Sequence, residues 1–442
     1  MNGEAEQYVA IEITNQNKEL ANSIKVKLDK SIPSSTTTTQ CSIYRVHEKF
    51  RKIHKFAYTP EMISIGPFHR GQGSLAAMED HKLRYAHALL SRTTPIGTNK
   101  LEECVAYMGR IEDEARKCYS EPIVLSSNEF VEMMVIDGLF MIELFRKSAG
   151  EVKIERDDPI FGNIWGLSSL VRDLVLLENQ LPMIVLDCLF NVPALKEELQ
   201  GVSIKILSLK FFDPLMPRGK EVIQTSFSGT EGKHLLDLLG KTFHDLPSAP
   251  KGKVKKVSWK FIPSVTELKR AGVKFVKSST NGSFLDIKFK DGVMEIPPII
   301  IQDQTDTLLR NLIASEQCCD GHVTYMTSYA FFMDSLINTG DDVGVLRKQG
   351  IMTNYLGDDE DVADLFNKLC CEVTLANFYY SELCDQVNAY YKTRWHVWRA
   401  TLKRDYFNNP WAIVSFVGAI ILLFLTLTST IFAILSFTVH DS

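Results

Sequence analysis

Residues Trp411 to Val439 read WAIVSFVGAIILLFLTLTSTIFAILSFTV, a run without one charged side chain. No other stretch constrains the chain so strongly. As an α-helix its 29 residues reach about 43 Å, longer than the roughly 30 Å hydrocarbon core of a bilayer. A tilted transmembrane helix is therefore expected. Its Ser and Thr hydroxyls are tolerated because they bond to carbonyls one turn back. The alternative is a buried core helix or a hairpin of two core strands. Only His440, Asp441 and Ser442 follow, so the run reads as a C-terminal, single-pass anchor.

The flanks set an expected orientation. Lys392, Arg394, Arg399, Lys403 and Arg404 precede the run, whereas the far side carries one acid and one His. Lys and Arg favour the cytoplasmic side. MNGEAEQYVA shows no basic region followed by an apolar core, so no signal peptide is expected. The body is thus expected in the cytosol. Trp395, Trp398, Tyr406 and Trp411 are placed for the interfacial belt. The plasma membrane is the expected site, with the endoplasmic reticulum as the alternative.

The 442 residues carry a net charge of -5, which argues against nucleic-acid binding as the main activity. Nine cysteines at irregular spacing suit free thiols in a reducing compartment. The pairs Cys318-Cys319 and Cys370-Cys371 lack CxxC spacing and a neighbouring His, so no zinc site is expected. Asn281-Gly282-Ser283 is a formal glycosylation acceptor, but Asn-Gly reads more simply as a hairpin turn.

Residues 1–40 read as a loosely ordered segment ending in the linker SIPSSTTTTQ. A body follows over 41–405. Its basic opening includes Arg45, His47, Lys49, Arg51, Lys52, His54 and Lys55, read as a solvated face, with contact to lipid head groups or an acidic partner as the alternative. Pro60 and Gly66-Pro67 interrupt helix there, though Ile63, Ile65 and Phe68 are suited to burial. Three helices follow. One has the apolar stripe Met78, Leu83, Tyr85, Ala86 and Leu89; the next has Leu101, Cys104, Val105, Met108, Ile111 and Ala115. The third is strongly apolar, with Ser127 as its expected N-cap. Glu129 with Glu132, or Asp137 with Glu143, are the carboxylates to consider for a hydrolase or metal site. No HExxH or ExxH motif supports either. Asp137, inside the most apolar run, is expected to pair with an Arg or a backbone donor.

SSLVRDLVLLENQLPMIVLDCLF reads as a helix, a break at Pro182 and a second apolar helix. Glu178, Asn179 and Gln180 lie between apolar sets and require partners. They are expected to satisfy backbone groups at the interruption, with Arg172 and Asp173 in the same network. A ligand-binding or catalytic role is the sharper alternative.

PEMISIGPFHRG, LENQLPMIVL, LLDLLGKTFH and TELKRAGVKF, in this order, resemble the plant DUF247 (UPF0481) family. The resemblance runs from about Tyr44 to the anchor. It implies a domain with a C-terminal transmembrane helix and brings no catalytic residues. Some members in grasses are implicated as pollen-side determinants of self-incompatibility, a role tied to particular loci that does not carry over by motif. Gly240 stands where the family commonly has His or Arg.

Further on, APKGKVKKVSWK reads as a mobile basic loop, with tracking of a membrane surface as its alternative. SVTELKRAGVKF reads as a short helix capped by Ser264 or Thr266 and ended by Gly272. Alternating residues around Asn281-Gly282 and Asp291-Gly292 predict a small antiparallel sheet near 273–298. VTYMTSYAFFMDSLI reads as a buried helix and GDDVGVLRKQG as a loop. The acids Asp358 to Asp361 lack calcium-loop spacing and fit a helix N-terminus. A long amphipathic helix is expected from Phe378 to Arg404.

The expected fold is mainly α (α+β): a helical body with a small antiparallel β sheet and one transmembrane helix over 411–439. The expected function is a membrane-anchored plant protein acting in protein interaction or signalling. Its expected partners are the bilayer through 411–439 and an unidentified protein, and no nucleic acid. No catalytic, cofactor or metal residues are assigned and no cofactor is expected. The alternative is a membrane-bound, hydrolase-like enzyme. His69, His81 and His234 are its candidate bases, and none has a readable nucleophile beside it.

Overall fold

Helix α5 (Ser127–Ser148) is the axis around which the first half of the body assembles. It is apolar around its circumference and carries no proline, as a core helix requires. Its N-cap is Ser126, one residue before the expected position, in a reciprocal capping box with Glu129. Four helices pack on it: α3 (Ala77–Ser91), α4 (Thr98–Lys117), α7 (Met183–Phe190) and α8 (Ile204–Phe211). The computed structural model describes residues 17–28, 41–92, 98–196, 198–199, 201–215, 231–243, 260–278, 283–318, 324–393 and 410–440. Residues 31–40, the loop from Lys251 up to Lys260, and Asn281-Gly282 lie outside them. So does the second part of the helix expected from Phe378 to Arg404; its first part is α15 (Ser381–Lys392).

The N-terminal segment is not wholly irregular. Residues 17–28 form an exposed helix, α1. The segment after it carries α2 (Glu48–Ile53).

Two corrections concern the helices: where one ends, and one within a stretch read as a loop. The helix before the 178–180 block, α6 (Ile164–Asp173), stops well short of Pro182. Side-chain amides of Asn179 and Gln180 take the carbonyls of Asp173, Leu174 and Leu176, which satisfies the helix end without another turn. The stretch read as a loop is helix α13 (Gly340–Lys348). Its two glycines lower propensity, but Thr339 N–H and Oγ1 both donate to Asp342, and Val343 and Leu346 are fully buried.

The second half centres on α11 (Asp303–Cys318), packed by α9 (Leu235–Lys241), α12 (Tyr325–Leu336) and α14 (Asp359–Leu369). Helix α12 is buried, as expected. The acidic run opens α14, with Asp358 as its N-cap. Ser264 and Glu267 form a capping box on α10 (Val265–Arg270).

The sheet is mixed rather than antiparallel. Its strands β1 (Lys274–Lys277), β2 (Lys288–Lys290) and β3 (Val293–Ile296) lie in the order β1-β3-β2. The hairpin at Asp291-Gly292, both at positive φ, makes β2 and β3 antiparallel, whereas β1 runs parallel to β3. The return from β1 leaves the ladder to bury Phe284 between Phe243 and Tyr329, at 4.8 and 4.9 Å between centroids. It re-enters on the far side of β3. Beyond Pro297 and Pro298, β4 (Ile299–Ile301) pairs parallel with β5 (Met352–Asn354), a pairing that alternation alone does not announce.

The last helix, α16 (Pro410–His440), has a stretch long and apolar enough to cross a membrane, Val414–Phe432, and none of that stretch is buried. Thr426, Thr428 and Thr430 each donate Oγ1 to a carbonyl three or four residues back. The hydroxyls are thus satisfied within the helix, as a lipid environment demands.

Candidate functional site

The segment from Pro60 to Phe68 is neither helix nor strand, and its backbone pairs with side chains. Pro60 and Pro67 supply no N–H, and five of the six donors between them are taken by side-chain oxygens. Backbone N–H groups of Glu61, Met62 and Ile63 donate to Asp173 at 2.7–3.2 Å. The N–H of Ile65 donates to Asn179 Oδ1 at 2.7 Å, and that of Gly66 to Asp137 Oδ2 at 2.8 Å. Asn179 Nδ2 donates back to Ile63 O at 3.0 Å. Gln180 Oε1 accepts from Leu236 N at 3.2 Å, and its backbone carbonyl accepts from the Tyr119 hydroxyl at 3.1 Å. The two most distinctive motifs of the sequence therefore meet in one buried polar seam.

Arg172 and Asp173 belong to this seam, as expected. The guanidinium donates to Asp173 at 2.8 Å and to the carbonyls of Phe56 and Thr59. Burial pushes the Asp173 carboxyl above its ordinary range, against three backbone donors and Arg172. Asp137 is likewise raised by burial; it pairs with Lys82 at 2.8 Å and with the Gly66 backbone. The backbone donor was expected for Asp137, but its cation is a lysine rather than an arginine. Lys82 could have been found, because it occupies the apolar face of α3 four residues from Met78.

Glu178 is a third buried carboxylate of the seam. Its Oε1 accepts from Val46 N at 2.6 Å and from Arg51. Arg45 lies 3.7 Å from Oε2 and stacks over Phe68, 4.4 Å from the ring centroid. The Nε2 of His69 is 3.3 Å from Oε2, at ion-pair range but not aligned for a hydrogen bond. Burial opposes ionisation of Glu178, but His69, Arg51 and the Val46 N–H outweigh it and hold the carboxyl below its ordinary range. Part of the basic opening thus turns inward. Arg45 and Arg51 face a buried carboxylate, and sequence reasoning, which took them for a solvated face, missed this.

The remaining candidates are kept apart. Glu129 is used in the capping box, Glu132 is exposed, and Glu143 pairs with Arg92. His69, His81 and His234 fall on separate elements: the loop before α3, α3 itself and the cap of α9. Gln72 Nε2 lies 2.9 Å from His69 Nδ1. With the Gln72 amide nitrogen as donor, Nδ1 accepts and Nε2 faces Glu178. This pair resembles a His–carboxylate dyad, but Gln72 occupies the nitrogen that would face a nucleophile. His81 is half-buried. His234 caps α9: Nδ1 accepts from Asp237 N at 3.3 Å and Nε2–H donates to Ser42 O at 3.1 Å. Burial lowers its pKa to about 4, so it is neutral and structural. Burial raises the thiols of Cys104 and Cys384 to about 12, too high for thiolate chemistry near neutral pH. Among the described residues no group of three or more His, Cys, Asp or Glu is placed to hold a metal ion.

The family model for DUF247, a plant protein of unknown function, matches residues 43–425. The chain is 30% identical to UPF0481 protein At3g47200 of Arabidopsis thaliana over 423 residues, covering 90% of this chain and 87% of the relative. It is 24% identical to Putative UPF0481 protein At3g02645 of the same plant, covering 87% and 88%. No solved structure matches the chain significantly.

Proposed function

This chain belongs to the DUF247 family of plant proteins, and on that premise we propose that it works by binding another protein at a membrane rather than by turnover. Its body lies in the cytosol, held by α16 at the plasma membrane. One observation carries the reading: none of Val414–Phe432 is buried, whereas the body's buried charges are used to join its own segments. Such a helix requires a bilayer around it. The 29 uncharged residues from Trp411 to Val439 support the thicker plasma membrane over the endoplasmic reticulum. The cations before the helix support the cytosolic body.

Affinity capture of the intact chain from plant plasma membranes, beside a chain ending at Asn409, tests this proposal. A specific protein enriched only by the anchored form is expected. Small-molecule turnover by the purified protein, abolished by changing one or two polar residues of the body, would overturn it.

A further inference from the structure

Three aliphatic side chains that helical periodicity assigns to the core do not reach it. Leu83 of α3 is 51% exposed, and Leu101 and Val105 of α4 are 46% and 44% exposed. They line a groove of about 710 Å³ between α3, α4 and α5, together with Val131 and Val135 of α5. The apolar stripes of α3 and α4 are thus wider than the core beneath them. An apolar groove flanked by helices is the usual seat of an amphipathic helix.

The same chain carries a helix with the complementary defect. α1 is exposed along its length, with Leu20 at 59% and Ile24 at 46%. Leu20, Ala21, Ile24 and Leu28 fall on one face, spaced as anchors for a groove. Lys25 and Lys27 flank that face on either side, and the exposed Glu132 lines the groove.

Reach and length agree. The chain after the tether is pinned at the end of α4, where Ser42 and Ile43 donate to Cys118 O at 3.0 and 2.9 Å. Along α4, Gly109 and Leu101 of the groove lie about 14 and 26 Å from Cys118. Residues 29–40 span at most about 40 Å, enough to bring α1 to either end. α1 itself is about 18 Å long, sufficient to cover the groove. Tethering at this distance gives an effective concentration on the order of millimolar, so even weak docking is populated.

We infer that α1 docks lengthwise in the groove between α3, α4 and α5, with Leu20 and Ile24 as its anchors. The groove is then a helix-binding surface with an occupant in the same chain. A partner presenting a similar helix would have to displace it. This inference stands independently of what the body binds elsewhere.

Hydrogen exchange on the full chain in phosphatidylcholine nanodiscs tests it. Amides of residues 20–28 are expected to exchange at least tenfold more slowly than in the free 17–28 peptide. Val105→Asp in the groove and, separately, Ile24→Asp on α1 are each expected to abolish that protection while α5 stays protected. Ile24→Asp lies outside the body, so it reads the contact even if Val105→Asp unfolds the chain. No protection in the unmodified chain would overturn the proposal. So would protection that survives both substitutions, that vanishes when detergent replaces lipid, or that depends on protein concentration. The last two would indicate a helix lying on the bilayer or docking on a second copy.

Discussion

The carboxamide of Asn179 completes the backbone of Ile65: its Oδ1 accepts the Ile65 N–H at 2.7 Å across 114 residues of chain. Its Nδ2 also donates to Ile63 O and Asp173 O, both at 3.0 Å. Asn179→Ala would leave the Ile65 N–H and the Ile63 carbonyl buried without partners, at about 1–3 kcal/mol each before relaxation, and would leave Asp173 O with the Leu176 N–H alone, at 3.3 Å. A loss of about 3–5 kcal/mol is expected, read as a lower melting midpoint of the full chain in nanodiscs. Asn179→Asp should not rescue it, because a second carboxylate oxygen would face two carbonyls. Unchanged melting with lost partner binding would move this block from scaffold to binding site.

Gly66 provides a sharper geometric test. Its φ is +72°, and an added Cβ would lie 2.7 Å from Gln180 O and 3.0 Å from the Tyr119 hydroxyl. Gly66→Ala therefore combines backbone strain with a collision against fixed backbone. Gly71 has φ +79° and open space around the same position, so Gly71→Ala isolates the strain. About 1 kcal/mol is expected for Gly71→Ala and about 3 kcal/mol for Gly66→Ala. Equal melting shifts for the two variants would show that the Pro60–Phe68 segment is not packed against Gln180 as described.

His234 sets an acid limit on stability. Burial lowers its folded pKa from 6.5 to about 4, so the unfolded chain binds the proton more tightly. Its contribution is complete above pH 6.5 and is lost as the pH falls toward 4. That difference is worth up to about 3 kcal/mol. His234→Asn keeps an acceptor for the Asp237 N–H but removes the titration. Melting between pH 7 and pH 4 should fall less steeply in this variant than in the unmodified chain. Parallel curves would exclude His234 as the source of acid sensitivity.

The parts of the fold that were legible in the sequence depend on local chemistry. The anchor is legible because lipid admits no charge over its whole length. The acids at Asp358–Asp361 and the cap at Ser264 are legible because helix ends require acceptors for orphan N–H groups. In the seam, Asn179 and Gln180 announced themselves by standing inside apolar runs. Arg45 and Arg51 did not, because a cation next to exposed lysines carries no mark of the Glu178 carboxylate 127 residues beyond Arg51. Strand direction was hidden for a related reason: alternation places Phe275 and Met294 in the core but is the same for parallel and antiparallel neighbours. Two glycines concealed α13, whose helix depends on the burial of Val343 and Leu346.

Topology is the prediction on which the proposed function turns. Lys392, Arg394, Arg399, Lys403 and Arg404 precede the apolar run, whereas Asp441 and His440 follow it. Moving a cluster of cations across a bilayer is costly, so the body is expected to stay in the cytosol. In intact protoplasts external protease should leave the body whole, and in inside-out plasma-membrane vesicles the same protease should remove it. Asn281, in the acceptor sequence Asn281-Gly282-Ser283, should carry no glycan. Cleavage of the body from outside intact protoplasts, or a glycan on Asn281, would reverse the orientation. The partner would then have to be sought on the cell surface, with the basic flank held outside by something stronger than its charge.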